Sequence, residues 1–174
     1  MRRTQQLRVD QLMSSDLLSG AAYRAVEFSL QDARSRHKQQ VGTYNLLRGI
    51  LHQRLSTAVA VLTLMGTCRD LRADLRASSD LRSQISGVAT RHPTRIPFSS
   101  CATRAIRGSF QFLAAHGFPM LGTDYLLISL AEEKHGKAGQ LLRFRSGSPL
   151  RIRRALSKHR LSQLHSFEPD GDES

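Results

Sequence analysis

Apolar residues recur every three to four positions through most of the chain, which is the spacing of amphipathic helices. In the first such segment the recurring positions are Ala22, Val26, Leu30 and Ala33. A polar elbow at 37–40 follows and ends this helix. The pattern contains no sustained alternation of apolar and polar residues, so it predicts helices and no strands.

Three more helices are predicted in the first half of the chain. The second follows Thr43, whose hydroxyl is expected to cap it, and has its apolar stripe at 46–51. Ser56 or the next residue begins the third helix, and Gly66 supplies a left-handed stop after it. A short fourth helix is expected at 69–77.

The same pattern then occurs a second time. Residues 41–47 are echoed by residues 121–127, and the offset of 80 residues also holds for the helix that precedes them. Thr123 is therefore expected to cap a helix as Thr43 does. Because an internal repeat fixes the architecture, we predict an all-α fold in which two tandem four-helix repeats pack with pseudo-twofold symmetry.

Breaks in the pattern set the predicted boundaries. Each repeat buries little by itself, so the two are expected to form one compact domain. A Pro- and Gly-containing segment separates them, and the acidic end of the chain is expected to be disordered. The predicted parts are a flexible arm at 1–14, the first repeat at 15–77, a connector at 78–97, the second repeat at 98–160 and a disordered tail at 161–174.

Charge adds a second feature. The net charge is +12, and arginine supplies nearly all of the positive residues. No acid occurs between Lys134 and Phe167, so this segment predicts a basic surface that attracts anionic partners. A solvated face with no ligand explains the same residues equally well. The expected surface consists of Arg143, Arg145, Arg151, Arg153, Arg154, Lys158 and Arg160.

Other classes of function have little support. No apolar run is long enough to span a bilayer, and the amino terminus lacks the apolar stretch of a secretory signal, so a cytoplasmic protein is expected. Cys68 and Cys101 have no spacing that would hold zinc, and the seven histidines are scattered. No nucleophile with a neighbouring base is evident. We therefore expect no enzyme activity, no metal and no cofactor.

The repeated motif resembles a known family. The motif is Gly-Thr, then any two residues, then Leu-Leu, and it follows a helix with a polar elbow. Its presence twice in the chain resembles the double Clp repeat. This repeat forms the amino-terminal domain of Clp-type AAA+ unfoldases of the ClpC and ClpA kind. The sequence contains no Gly-rich nucleotide-binding loop that ends in Lys-Ser or Lys-Thr, so we expect a stand-alone short form without ATPase domains.

The resemblance implies a binding site. In the family the domain docks substrates and adaptors, and in ClpC-type members it also binds phosphorylated arginine. A carboxylate after the Gly-Thr pair takes the guanidinium, and a hydroxyl at the start of the repeat takes the phosphate. Carried over, the second repeat offers Ser99 and Asp124. The first offers Ser19, but Tyr44 replaces its acid.

Three functions follow as hypotheses. The first is a non-catalytic interaction module of the Clp proteolysis system, acting as accessory subunit, adaptor or decoy toward Clp ATPase or protease subunits, adaptors or their substrates. The second is a basic protein that binds nucleic acid or another polyanion. The third is a protein that sequesters cyclic-peptide toxins directed at Clp domains. Phe98 is either an apolar staple at the helix start or an exposed anchor for such peptides.

Overall fold

A computed structural model describes residues 16–83 and 96–165. These residues form eight helices and, within the described ranges, no strand, which confirms the predicted all-α class. The helices are α1 Gly20–Ser35, α2 Thr43–His52, α3 Thr57–Leu64, α4 Cys68–Ser83, α5 Ser100–His116, α6 Thr123–Glu132, α7 Lys137–Ser146 and α8 Pro149–His165.

Local sequence chemistry explains where several helices begin and end. The hydroxyls of Ser19 and Ser99 accept from the backbone nitrogens of the third residues of α1 and α5, both at 3.2 Å. Ser56 caps α3 in the same way. Gly66, with φ 73°, and Gly117, with φ 65°, take the left-handed conformation that follows a helix end.

The two halves contact one another reciprocally. Helix α2 packs against α7 and, in the equivalent arrangement, α6 packs against α3. Likewise α3 contacts α8, and α4 contacts α7. Each pair becomes the other when the two repeats are exchanged, as pseudo-twofold packing requires. The middle of this arrangement is the direct contact of α2 with α6.

Two short backbone bridges show the same symmetry. Leu18 pairs with Leu121, and Val41 pairs with Phe98. The offset of 80 residues converts one pair into the other. In each bridge the segment before the first helix of one repeat is bonded to the residue before the Gly-Thr pair of the other repeat. The repeats are therefore joined where the family resemblance placed the binding residues.

The core is built mostly from small and branched aliphatic residues. Its largest fully buried side chains include Phe98, which is 1% exposed, so the expectation of an exposed apolar anchor at this residue is wrong. Phe98 lies directly beside Val41 in the bridge between repeats and fills the interior there. Its role is to pack the junction of the two repeats.

Some predicted boundaries differ from the structure. Helix α4 continues to Ser83, past the expected end of the first repeat at 77, and α8 continues to His165, past the expected end of the second at 160. The first extension, 78–83, consists mostly of serine and charged residues, and the second, 161–165, carries Leu161 and Leu164 at helical spacing. The expected arm at 1–14, residues 84–95 of the connector and residues 166–174 of the tail lie outside the described residues.

The described ranges contain neither a membrane-spanning helix nor a metal-binding cluster. None of the eight helices is both long and apolar enough to cross a bilayer. Within the same ranges, no three His, Cys, Asp or Glu side chains are grouped so as to hold a metal ion.

Candidate functional site

An open groove lies between the repeats beside the second Gly-Thr pair. We call it the inter-repeat groove. Its walls come from the start of α1, the turn before α3, the elbow after α5, the first turn of α6 and the end of α8. The lining residues are Ser19, Ala21, Leu55, Ser56, Thr57, Phe118, Pro119, Met120, Gly122, Thr123, Asp124, Tyr125, Arg160 and Gln163.

One side of the inter-repeat groove is apolar and accessible. Leu55 is fully exposed, Met120 is half exposed and Phe118 is 40% exposed. All three lie in turns, where helical periodicity gives no signal that would identify them from the sequence. Exposed large apolar side chains gathered around one concave surface are typical of a binding site for a protein segment.

The other side of the groove is ionic, and its carboxylate already has a partner. Asp124 is buried, and the Arg160 guanidinium donates a hydrogen bond to its Oδ2 from Nη2. Arg160 also donates to the Tyr125 hydroxyl oxygen at 2.6 Å and lies over the Tyr125 ring at 4.7 Å from its centre. The position that a ligand guanidinium was expected to occupy is therefore filled by an arginine of this chain.

The protonation of this cluster follows from its surroundings. Burial raises the pKa of the Tyr125 phenol, although the Arg160 guanidinium opposes this shift. Burial also lowers the pKa of Arg160, but its hydrogen bonds with Tyr125 and Asp124 outweigh that effect and raise the pKa overall. At neutral pH Tyr125 is thus a neutral phenol and Arg160 a cation.

The close approach of Asp124 depends on a glycine. A Cβ at Gly122 would lie 2.3 Å from the Asp124 Oδ1. The glycine of the repeated motif therefore leaves room for the carboxylate to turn back toward the start of α6, which a larger residue would prevent.

The two serine hydroxyls that were expected to bind phosphate lie in different places, and the one beside Asp124 belongs to the other repeat. Ser19 of the first repeat lines the groove that contains Asp124, and its backbone nitrogen donates to the Leu121 carbonyl at 3.0 Å. Ser99, which the resemblance grouped with Asp124, is not among the residues that line this groove. Its backbone nitrogen donates to the Val41 carbonyl at 3.0 Å, on the side of Tyr44. Each hydroxyl also caps its own helix.

The two threonines do not cap their own helices, so that prediction is wrong. Gly42 and Gly122 occupy the cap positions, and Thr43 and Thr123 are the first helical residues. Thr43 is buried, and its hydroxyl accepts from the Ala138 backbone nitrogen of α7 at 3.3 Å. The threonine of the first repeat thus caps a helix of the second. Thr123 is also buried.

The expected basic surface is largely occupied by internal contacts. Arg143 donates to the carbonyl oxygens at the end of α6, and Arg145 donates to both carboxylate oxygens of Asp74. Arg153 pairs with Glu132, as Arg160 does with Asp124. These four residues therefore have partners within the chain, and the expected basic surface stays a prediction. The three exposed members are Arg151, Arg154 and Lys158.

Comparisons with known proteins identify the family that shares these two repeats. A family model described as the Clp repeat (R) N-terminal domain matches residues 18–144. The chain is 27% identical over 133 residues to the chloroplastic chaperone protein ClpC2 of Arabidopsis thaliana, which covers 76% of this chain and 13% of that protein. It is 25% identical over 150 residues to the chloroplastic ClpC3 of Oryza sativa subsp. japonica, which covers 84% and 15%. The chain thus spans about one seventh of these relatives.

A solved structure shows the same fold. The crystal structure of the N-terminal domain of the caseinolytic protease associated chaperone ClpD from Arabidopsis thaliana matches with a TM-score of 0.61. The match covers 87% of this chain and 98% of that one at 19% identity.

Proposed function

We propose, since this chain belongs to the Clp repeat N-terminal domain family, that it is a non-catalytic interaction module of the Clp proteolysis system. It binds segments of Clp subunits, adaptors or substrate proteins in the inter-repeat groove and acts as an accessory subunit, adaptor or decoy. The observation that carries the proposal is the accessible apolar wall formed by Leu55, Phe118 and Met120 beside a guanidinium.

The chemistry of the groove favours an extended peptide as its ligand. Apolar side chains of the peptide would cover the exposed wall, and burial of that surface supplies the affinity. The Arg160 side chain remains 40% exposed, so it can also donate a hydrogen bond to a carboxylate or carbonyl oxygen of the peptide. A non-catalytic role fits this arrangement because every feature it uses is a binding contact.

The toxin-sequestering hypothesis was based on an apolar patch formed by Phe98 and the start of the first helix of repeat one, and the burial of Phe98 weakens it. The internal pairing of four basic residues likewise weakens the argument for a nucleic-acid surface on α7 and α8. Both functions stay predictions, and the contacts of the described residues favour the peptide-docking proposal over them.

Affinity capture with a groove variant tests the proposal. The native chain, immobilised and exposed to an extract of its own cells, is expected to retain Clp subunits, adaptors or known Clp substrates, identified by mass spectrometry. The double variant Leu55→Asp, Met120→Asp is expected to lose them. Leu64→Asp is the matched control, because Leu64 is 73% exposed and does not line the groove. Recovery of no Clp component by the native chain would contradict the proposal.

A further inference from the structure

The inter-repeat groove adjoins a second cavity on the surface of the first repeat. The two cavities share three lining residues, Ala21, Leu55 and Ser56. The second cavity is completed by Arg24, His52, Gln53 and Arg54. We call the two cavities together the extended groove. One end of it is the apolar wall at Phe118 and Met120, and the other end carries two arginines.

The second cavity is positively charged. Arg24 and Arg54 are both exposed. Arg24 donates from Nε to the Gln53 Oε1 at 3.2 Å, and this neutral amide orients the guanidinium without cancelling its charge. Among the described residues that line the extended groove, Asp124 is the one acid, and it pairs with Arg160. A segment with an apolar side chain and several carboxylates would therefore complement both ends.

The segment that follows α8 has this composition. Residues 166–174 contain one aromatic residue, Phe167, followed by four acids and no basic residue. The acids are Glu168, Asp170, Asp172 and Glu173. The segment before α1 is unsuited to the same surface, because residues 1–15 contain three arginines and one acid. Charge complementarity thus selects the segment after α8 as the occupant.

Helix α8 ends beside the apolar end of the extended groove. Arg160 and Gln163, near the end of this helix, both line the groove. The Arg160 guanidinium lies 5.5 Å from the centre of the Phe118 ring, so the apolar wall begins next to the helix. Phe167 follows Gln163 by four residues, which span at most about 14 Å of extended chain. Its ring is thus within reach of the wall, and the acids that follow it are within reach of the cationic end.

We infer that residues 166–174 bind in the extended groove of their own chain. The Phe167 ring covers the apolar wall, and the carboxylates lie along the guanidinium groups of Arg24 and Arg54. Because the segment is tethered to α8, its effective concentration at the groove is in the millimolar range, so weak contacts are enough to hold it. The segment then competes with any peptide that uses the same wall. This competition rests on the proposed function, whereas the contact within the chain depends only on the groove.

A tryptophan in place of Phe167 tests the contact, because the chain has no other tryptophan. In the Phe167→Trp variant, the indole is expected to emit at shorter wavelength than N-acetyl-tryptophanamide and to be quenched less by acrylamide, as an aromatic ring against an apolar wall is. Adding Leu55→Asp and Met120→Asp is expected to shift the emission to that of the free amide. Leu64→Asp is the matched control, because Leu64 is 73% exposed and lines neither cavity.

A second pair of variants tests the charged end. Arg24→Gln, Arg54→Gln is expected to move the emission toward that of the free amide. Arg151→Gln, Arg154→Gln removes the same charge from exposed positions on α8 and is expected to leave the emission unchanged. Circular dichroism checks that each variant keeps its helices, and Leu55→Asp alone changes a fully exposed residue in a turn.

Three results would overturn the inference. The first is an indole in Phe167→Trp that emits like the free amide. The second is equal emission from the groove variants and their controls, and the third is a short-wavelength emission that disappears on dilution, which would place the contact between two copies. Capture of Clp components tests the proposed function separately. A covered indole without captured partners would leave this contact standing, and an uncovered indole with captured partners would remove this contact alone.

Discussion

The Thr43 hydroxyl of the first repeat accepts a hydrogen bond from the Ala138 backbone nitrogen of the second repeat, at 3.3 Å. Ala138 is the second residue of α7, whose own cap residue, Gly136, has no side chain that could accept this bond. A Cβ at Gly136 would lie 2.9 Å from the Thr43 Cγ2. The glycine therefore lets the threonine of one repeat approach and cap a helix of the other.

We predict that Thr43→Val destabilises the domain by about 1 kcal/mol, because it leaves a buried backbone nitrogen without an acceptor. Urea unfolding followed by circular dichroism measures the change. Thr63→Val is the matched control, since the Thr63 side chain is exposed and bonds only to its own helix. Equal unfolding free energies for the two variants would show that the contact between repeats contributes nothing.

The second prediction concerns the pair of Arg160 and Asp124. The Arg160 guanidinium occupies the position beside Asp124 where the guanidinium of a ligand was expected to bind. We therefore expect the native chain to bind free phosphoarginine weakly. Arg160→Gln is expected to free the Asp124 carboxylate and to raise the affinity for phosphoarginine about tenfold. Calorimetric titration of both proteins measures this.

Arg153→Gln is the control for that experiment. Arg153 is an arginine of α8 that also pairs with an acid, Glu132, but it does not line the inter-repeat groove. Its loss is expected to leave phosphoarginine affinity unchanged. Tighter binding by the native chain than by Arg160→Gln would mean that Arg160 helps the ligand to bind and does not exclude it.

The third prediction is a dependence of stability on pH. Glu133 is buried, and two hydrogen bonds from Arg104, at 2.9 and 3.0 Å, lower the pKa of its carboxyl group despite the opposing effect of burial. A carboxyl group with a lowered pKa in the folded state stabilises the protein above its unfolded pKa, about 4.5. This contribution is lost as the pH falls through the lower, folded value.

Urea unfolding at pH 7, 5, 4 and 3 tests this assignment. Glu133→Gln is expected to lower the free energy of unfolding by about 1 kcal/mol at pH 7. Below about pH 4.5 the free energy of unfolding of this variant is expected to fall less steeply than that of the native chain. Glu132→Gln is the neighbouring control, because Glu132 pairs with Arg153 but its side chain is 43% exposed. If the native chain and Glu133→Gln lost stability in parallel between pH 5 and 3, the pKa assignment would be wrong.

The fold could be predicted from the sequence because the helices and the repeat both produce regular spacings of residues along the chain. The offset of 80 residues that relates Gly42 to Gly122 also relates the two backbone bridges of Leu18 and Phe98. Capping chemistry likewise placed the start of the third helix at Ser56 or the next residue. Such signals are local or repeated, so a single chain is enough to read them.

The side-chain partners could not be predicted in this way. Asp124 and Arg160 lie 36 residues apart on different helices, and only the packing of α8 against α6 brings them together. The burial of Phe98 also depends on the other repeat, through its bridge to Val41. Helical periodicity identifies which face of a helix is buried, but it does not identify the residues of other helices that contact this face.

The fourth prediction concerns the closest approach of two helices. Gly49 of α2 packs against α1 so tightly that an added Cβ would lie 2.0 Å from the Ala25 carbonyl oxygen. Backbone atoms cannot move aside as a flexible side chain does. Gly49→Ala is therefore expected to force α1 and α2 apart and to destabilise the domain by about 2 kcal/mol. The better helix propensity of alanine, worth about 1 kcal/mol, is too small to offset this cost.

The matched control is Gly108→Ala in α5. A Cβ there would lie 3.6 Å from the Ser129 Oγ, which is an ordinary contact, and Ser129 is the counterpart of Gly49 in the second repeat. Gly108→Ala is expected to stabilise the domain by about 0.5 kcal/mol, because it restricts the unfolded chain without a clash. Urea unfolding followed by circular dichroism suits both variants, since the chain has no tryptophan. A Gly49→Ala variant as stable as Gly108→Ala would show that α1 and α2 are not in close contact at this position.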